Sequence, residues 1–165
     1  MTEHERTGLF ARMHIGPGGA FISGGDDSSG GPALDVGAEL GGFVARGFGL
    51  ALDVSATGVP ATSADGAGGV VRAGPALCFV FAPADVFVSW HATLSVGAMQ
   101  NLFGFAVGLG TALTVGKEWP LSESWHWGVS GFAGLDYGIG LWGGILPVNE
   151  WLMVTGGASL VFTAG

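Results

Sequence analysis

The chain has 165 residues, of which 33 are glycine and only 11% are charged. Its formal net charge is −8 with only 5 Lys and Arg, too few cations to track phosphates, so nucleic-acid binding is disfavoured. The composition is too apolar for disorder, yet no apolar run approaches the roughly 20 residues of a spanning helix. The length suits one domain, 1–165. The single cysteine, Cys78, excludes an internal disulfide.

Alternation with a period of two runs through the whole chain, the signature of strands with one bulky and one small or polar face. The first predicted strand, 8–21, sets Leu9, Met13 and Ile15 against Phe10, Arg12 and His14. Residues 23–32, SGGDDSSGGP, read as a loop. A second strand over 33–44 sets Leu34, Val36 and Leu40 against Asp35, Gly37 and Glu39, and a third over 48–58 sets Leu50, Leu52 and Val54 against Ala51, Asp53 and Ser55. A long loop is expected over 59–69. The strand over 70–81 carries Arg72 and Cys78 on its polar face, and that over 86–98 carries Ser89, His91, Thr93 and Ser95.

The stretch 103–116 is the clearest of all. Phe103, Phe105, Val107, Leu109, Leu113 and Val115 face one way and Gly104, Ala106, Gly108, Gly110 and Ala112 the other. Strands over 124–138 and 150–163 complete a set of eight, with turns at 45–47, 82–85, 99–102 and 117–123 and a loop at 139–149. Pro17 and Pro75 cannot donate to a ladder, so bulges are expected beside them.

Alternation fits both a soluble barrel and a membrane barrel. The second face decides between them. It is Gly, Ala, Ser and Thr with a few charges, too poor in charge for a water-facing surface and suited to the filled inside of an eight-stranded barrel. Over the bare lining of 103–116, Phe87, His91, His126 and Phe132 are expected to lean. Phe48, Phe79, Phe81, Trp119, Trp125, Trp127 and Phe162 would form an interfacial girdle at one rim; Phe103, Phe105, Tyr137, Trp142 and Trp151 would form one at the other.

These strands, and the terminal alternation Ala158, Leu160, Phe162, resemble the small eight-stranded outer-membrane barrels, the OmpA/OmpX/OmpW-like group, over 9–162. Here Thr163, Ala164 and Gly165 follow the aromatic with which that group usually ends. The resemblance implies an all-β, antiparallel up-and-down transmembrane barrel in the bacterial outer membrane. It implies contact with membrane lipids and lipopolysaccharide, and insertion by the barrel-assembly machinery that reads the last strand. The start, MTEHERTG, lacks the apolar core of a signal peptide, so a mature N-terminus with an added Met is expected. No peptidoglycan-binding domain is expected after the last strand, so that role of the larger members of the group is not expected here.

The inward face holds Arg12, His14, Asp35, Glu39, Asp53, Arg72, His91, Glu118, His126 and Asp136. Counting along antiparallel strands groups Arg12, His14, Glu39, Asp53, Arg72 and His91 near mid-height. Buried charges must pair, and the expected pairing has Arg12 and Arg72 bridging Glu39 and Asp53, as structural filling or as a gate for ions or protons. His126 and Ser130 share a face, as in outer-membrane lipid A deacylases, but no acid is placed to orient the histidine. His4, His14, His91 and His126 have no metal-ligand spacing, and no Gly-rich stretch is followed by the Lys and helix of a phosphate loop. The reading is a non-enzymatic structural or interaction protein without metal or cofactor. Its acidic outer loops, with Asp26, Asp27 and Asp65, would face a protein partner. A narrow channel for ions or small ligands is the alternative.

Overall fold

A computed structural model describes residues 8–24, 27–60, 67–81, 84–99, 103–142 and 146–165. The strands are β1 (Gly8–Gly24), β2 (Asp27–Ala45), β3 (Phe48–Val59), β4 (Gly68–Phe81), β5 (Val86–Met99), β6 (Phe103–Pro120), β7 (Trp125–Trp142) and β8 (Leu146–Ala164). Each pairs antiparallel with its neighbours in sequence, and β8 returns to β1 to close the barrel. Closure leaves no exposed edge.

The stagger of the barrel follows from the register. A path across the ladders runs from Phe10 through Gly41, Ala51, Ala76, His91, Ala112, Gly134 and Thr155, and re-enters β1 at Ala20 rather than Phe10. That ten-residue displacement tilts the strands by roughly 35–45° to the axis. A side chain therefore rises relative to its ladder partner at every step around the wall, and residues level with each other come from quite different register positions.

The strands run further than their hydrophobic alternation. Residues 27–32, expected in a loop, belong to β2 and pair with 19–24 of β1. Residues 117–120, expected in a turn, pair with 126–129, and of the expected loop at 139–149, residues 139–142 belong to β7 and 146–149 to β8. Backbone pairing does not require apolar side chains, so the ladders continue past the alternating region. At the other end the turns are tight. Gly47 takes a left-handed φ of 66°. Its carbonyl accepts from the Val80 amide at 2.8 Å, leaving no room there for a Cβ. Asp85 holds a left-handed φ of 51°, a conformation that Asp tolerates better than most residues.

Neither proline makes the expected bulge. Pro17 pairs in register with Leu34, and Pro75 with Leu52. The other ladder of each strand passes 16–17 and 74–75 without a register change. A proline lacks only the one N–H that would reach one neighbour, and the glycine before it lets that neighbour close in: a Cβ on Gly16 would strike the Ala158 carbonyl, and one on Gly74 the Ala92 carbonyl. The shifts in register lie elsewhere, at 43/45, 97/99 and 140/141. Gly74→Ala is expected to lower stability by about 1–3 kcal/mol through overpacking against rigid backbone, read as a shift in the urea midpoint by tryptophan fluorescence.

Parity is kept around the wall. Leu40, Leu52, Leu94 and Leu109 point outward, with Leu52 and Leu109 both 68% exposed, while Arg12, Glu39, Asp53, Arg72 and His91 point inward and are buried. The protein is thus inverted relative to a water-soluble domain, apolar outside and polar within.

Candidate functional site

Inward-facing positions on all eight strands build one polar column along the lumen. Its lower part centres on Arg12 of β1. The guanidinium lies 3.0 Å from Glu39 of β2 and 3.1 Å from Glu118 of β6. It also donates to Ser89 Oγ at 3.1 Å and Cys78 Sγ at 3.3 Å, and stacks over the Phe87 ring at 4.0 Å. Thr163 donates to Glu118 at 2.5 Å. Above it, His91 stands between two carboxylates, with Nε2 3.6 Å from Glu39 and Nδ1 3.5 Å from Asp53.

The upper part centres on Arg72 of β4. Its Nε and Nη2 both donate to Asp136 Oδ2, at 2.8 and 2.6 Å. Its Nη1 donates to Thr57 at 2.6 Å, and Thr57 donates to Asp35 at 2.6 Å. The other Asp35 oxygen lies 3.0 Å from His14 Nε2. In low dielectric such pairs hold one another tightly, and the loss of one partner leaves the other costly.

Apolar clusters close the column at both ends. Toward the turns, Phe10, Ala51, Ala76 and Cys78 pack together with Phe43 and Val80, and the Phe10 and Phe43 rings stand 5.0 Å apart. Toward the loops, Ile22, Val59, Val70, Trp151 and Met153 form the cap, where the Trp151 indole N–H reaches the Val107 carbonyl at 3.4 Å. Between the two charged groups lies a cavity of about 30 Å³ bordered by Asp53, His91, Thr93, Arg72 and Phe132, room for a water or two. Among the described residues, side chains fill most of the lumen.

The six residues expected at mid-height all face the lumen, but the pairing differs from expectation. Arg12 does meet Glu39. Arg72 does not bridge Glu39 or Asp53; it binds Asp136 across the lumen, and Asp53 faces His91 instead. Counting along the strands ignored the stagger, which lifts Arg72 to the height of β7's Asp136 and drops Glu118 to that of Arg12. Asp35, Glu118 and Asp136 were legible as inward-facing, but nothing local in the sequence assigns their partners.

Trp151 also departs from expectation: it is buried in the lumen and belongs to no outer girdle. It shares parity with Met153 and Thr155, and that parity was the available signal. Phe79, Phe81, Trp119, Trp125, Trp127 and Phe162 are exposed on the outer wall at the turn end, with the Phe48 and Phe79 rings in tilted contact at 5.1 Å and those of Trp119 and Trp127 at 5.2 Å. Phe105 and Tyr137 face outward toward the loop end. The side chains of Phe103 and Trp142 lie outside the described residues, as do Asp26, Asp65 and the side chain of Asp27. Phe87 does lie over the bare wall of β6, against Gly116, whereas Phe132 leans on Gly18 and Gly157. His126 sits at the turn end between Pro120 and Thr163 in register. Ser130, four residues on and roughly 13 Å away by strand rise, contacts Ser159 at 3.2 Å, so the two do not form a nucleophile–base pair.

No family model matches the sequence, and no curated protein does. Among solved structures, the chain is similar to Neisserial surface protein A (NspA), with a TM-score of 0.65 over 96% of this chain and 97% of that one at 14% identity. It also matches the outer membrane protein AlkL, studied in lipid bilayers, with a TM-score of 0.48 at 15% identity, covering 98% of this chain and 93% of that one. A third match is the outer membrane protein OprG from Pseudomonas aeruginosa, with a TM-score of 0.45 at 11% identity, covering 98% and 95%. At such identities the likeness is one of fold: the chain has the fold of the small eight-stranded outer-membrane barrels.

Proposed function

We propose that this protein is an integral barrel of the bacterial outer membrane with a closed lumen, and that its role is structural or interactive and not catalytic. The observation that carries this reading is the filled interior: two charged networks, enclosed between two apolar clusters, hold opposite walls of the barrel together. The outer wall supports the membrane location. Contiguous exposed Leu, Val and Ile in this quantity would aggregate in water but match an acyl-chain environment, and the turn-end Trp and Phe suit a headgroup interface. Membrane lipids and lipopolysaccharide are then the partners of the wall. The last strand, ending near Phe162, is the segment offered to the assembly machinery, and any protein partner would meet the loop end. With 5 Lys and Arg in the chain, nucleic acid is not among the partners.

The location has a direct test. Leu52 is 68% exposed on the outer wall, in the middle of β3. Leu52→Arg is expected to lower stability in lipid vesicles by about 2–4 kcal/mol, the cost of a cation near the bilayer midplane. In a water-soluble barrel the same surface change would fall within about 0.5 kcal/mol.

A narrow conduit for ions or protons is the competing reading, favoured by the cavity at mid-lumen. Planar-bilayer recording separates the two. The closed barrel is expected to give no discrete conductance steps, and Glu39→Gln with Asp53→Asn is expected to leave that silence unchanged while lowering stability. Steps that appear or change with these substitutions would establish a gated path and overturn the closed-lumen reading.

A further inference from the structure

The interior charges do not balance. Among the described residues, the five carboxylates of Asp35, Glu39, Asp53, Glu118 and Asp136 are buried against two guanidiniums, Arg12 and Arg72, with the imidazoles of His14 and His91 as the other basic groups beside them. Where the lower network ends, the hydrogen bonding also runs out. Asp53 Oδ1 and His91 Nε2 have no hydrogen-bond partner in the protein, although their residues are only 2% and 3% exposed. Unpaired polar atoms this deep in a sealed interior are costly.

We propose that Glu39, Asp53 and His91 bind a divalent first-row transition-metal ion inside the barrel. One donor atom from each residue can be chosen so that all three lie within 4.8 Å of one another. His91 Nε2 and Glu39 Oε1 are 3.6 Å apart. That is too long for a hydrogen bond, which needs roughly 2.7–3.2 Å, but near the roughly 3.4 Å that separates two ligands of one tetrahedral ion with bonds of about 2.0–2.1 Å. One imidazole with two carboxylates suits zinc, iron or manganese better than calcium or magnesium. The adjoining cavity of about 30 Å³, which Asp53 and His91 both line, has room for a completing water. The second Asp53 oxygen accepts from Ser55 at 3.2 Å, which orients the carboxylate.

The three donors come from β2, β3 and β5, so no local spacing marks the site, and reading the histidines for a motif misses it. Both ends of the lumen are capped, so the ion enters as the barrel closes and is retained afterward. Binding is then coupled to folding.

Urea-unfolded protein would be refolded into detergent micelles with equimolar Zn²⁺ or with EDTA, then desalted and analysed for metal. Micelles suffice, so the result does not depend on the outer-membrane assignment. One zinc per folded chain is expected, resistant to brief chelation, together with a higher urea midpoint than the EDTA-refolded sample. Refolding with Co²⁺ is expected to give the visible absorption of a tetrahedral nitrogen–oxygen site. Asp53→Asn and His91→Gln are expected to lose the metal, while Asp136→Asn in the upper network retains it. Wild-type protein that refolds without metal and gains no stability from Zn²⁺ would overturn the proposal. It would leave His91 standing between the two carboxylates with no ion among them. Equal zinc content in wild type and Asp53→Asn would also overturn it, since the ion would then sit elsewhere. The first conclusion stands on wild-type data alone, and His91→Gln serves for the second where Asp53→Asn fails to fold.

Discussion

Arg12→Ala is expected to be among the most damaging single substitutions in the lumen, lowering stability by about 3–5 kcal/mol. Arg12 is 1% exposed and is shared between Glu39 and Glu118, with Ser89 and Cys78 as further acceptors. Removing it leaves two carboxylates in a closed interior with their main counter-charge gone, and opens a void beneath Phe87 where the guanidinium had stacked. Arg12→Lys keeps the charge but cannot reproduce a fork that serves residues on several strands, so an intermediate loss is expected. Urea titrations in lipid vesicles measure both. A loss for Arg12→Ala below about 1 kcal/mol, the scale of a solvent-exposed pair, would mean that water reaches the network and the lumen is not sealed.

The second large effect concerns the upper network, where breaking a pair and replacing it should differ. Arg72→Met is expected to cost about 3–5 kcal/mol, because Asp136, fully buried, then has no cation. Combining Arg72→Met with Asp136→Leu is expected to recover much of that loss, since an apolar pair of similar volume needs no counter-charge. Recovery should be incomplete, because Thr57 also loses the donor that links it to this pair while still donating to Asp35. The coupling in the double-mutant cycle should be large, as for side chains in direct contact. Additive losses would show that Arg72 and Asp136 act independently.

These pairs also mark where the sequence stops being informative. Strand parity is local, so residues such as Leu109 and Gly110, or Leu52 and Asp53, declare their faces by alternation alone. Eight alternating segments on an apolar chain without a spanning helix lead to a closed barrel. The stagger is global. It is set by eight ladders closing together, and it decides that Arg72 meets Asp136 rather than Asp53 and that Glu118 joins Arg12. Strand ends escape the sequence for a related reason: the stretch at 27–32 and the tail of β6 lack hydrophobic alternation, but their backbones still pair. Pro17 and Pro75 suggest interruptions because a proline removes one donor. The neighbouring glycines accommodate that loss by close approach, which a residue-by-residue reading cannot see. For Trp151 the interfacial preference of tryptophan and strand parity conflict, and the parity it shares with Met153 prevails, turning it inward.

Heat-modifiability distinguishes a sealed barrel whose apolar wall needs lipid from a barrel built for water. The protein would be refolded into detergent micelles and run on a gel with and without boiling, alongside a detergent-free sample. A closed barrel predicts a faster band that shifts on boiling, β-rich circular dichroism, and aggregation once detergent is removed. A protein that stays soluble and monomeric without detergent and shows no shift would contradict the account, and its exposed leucines would then need a different cover.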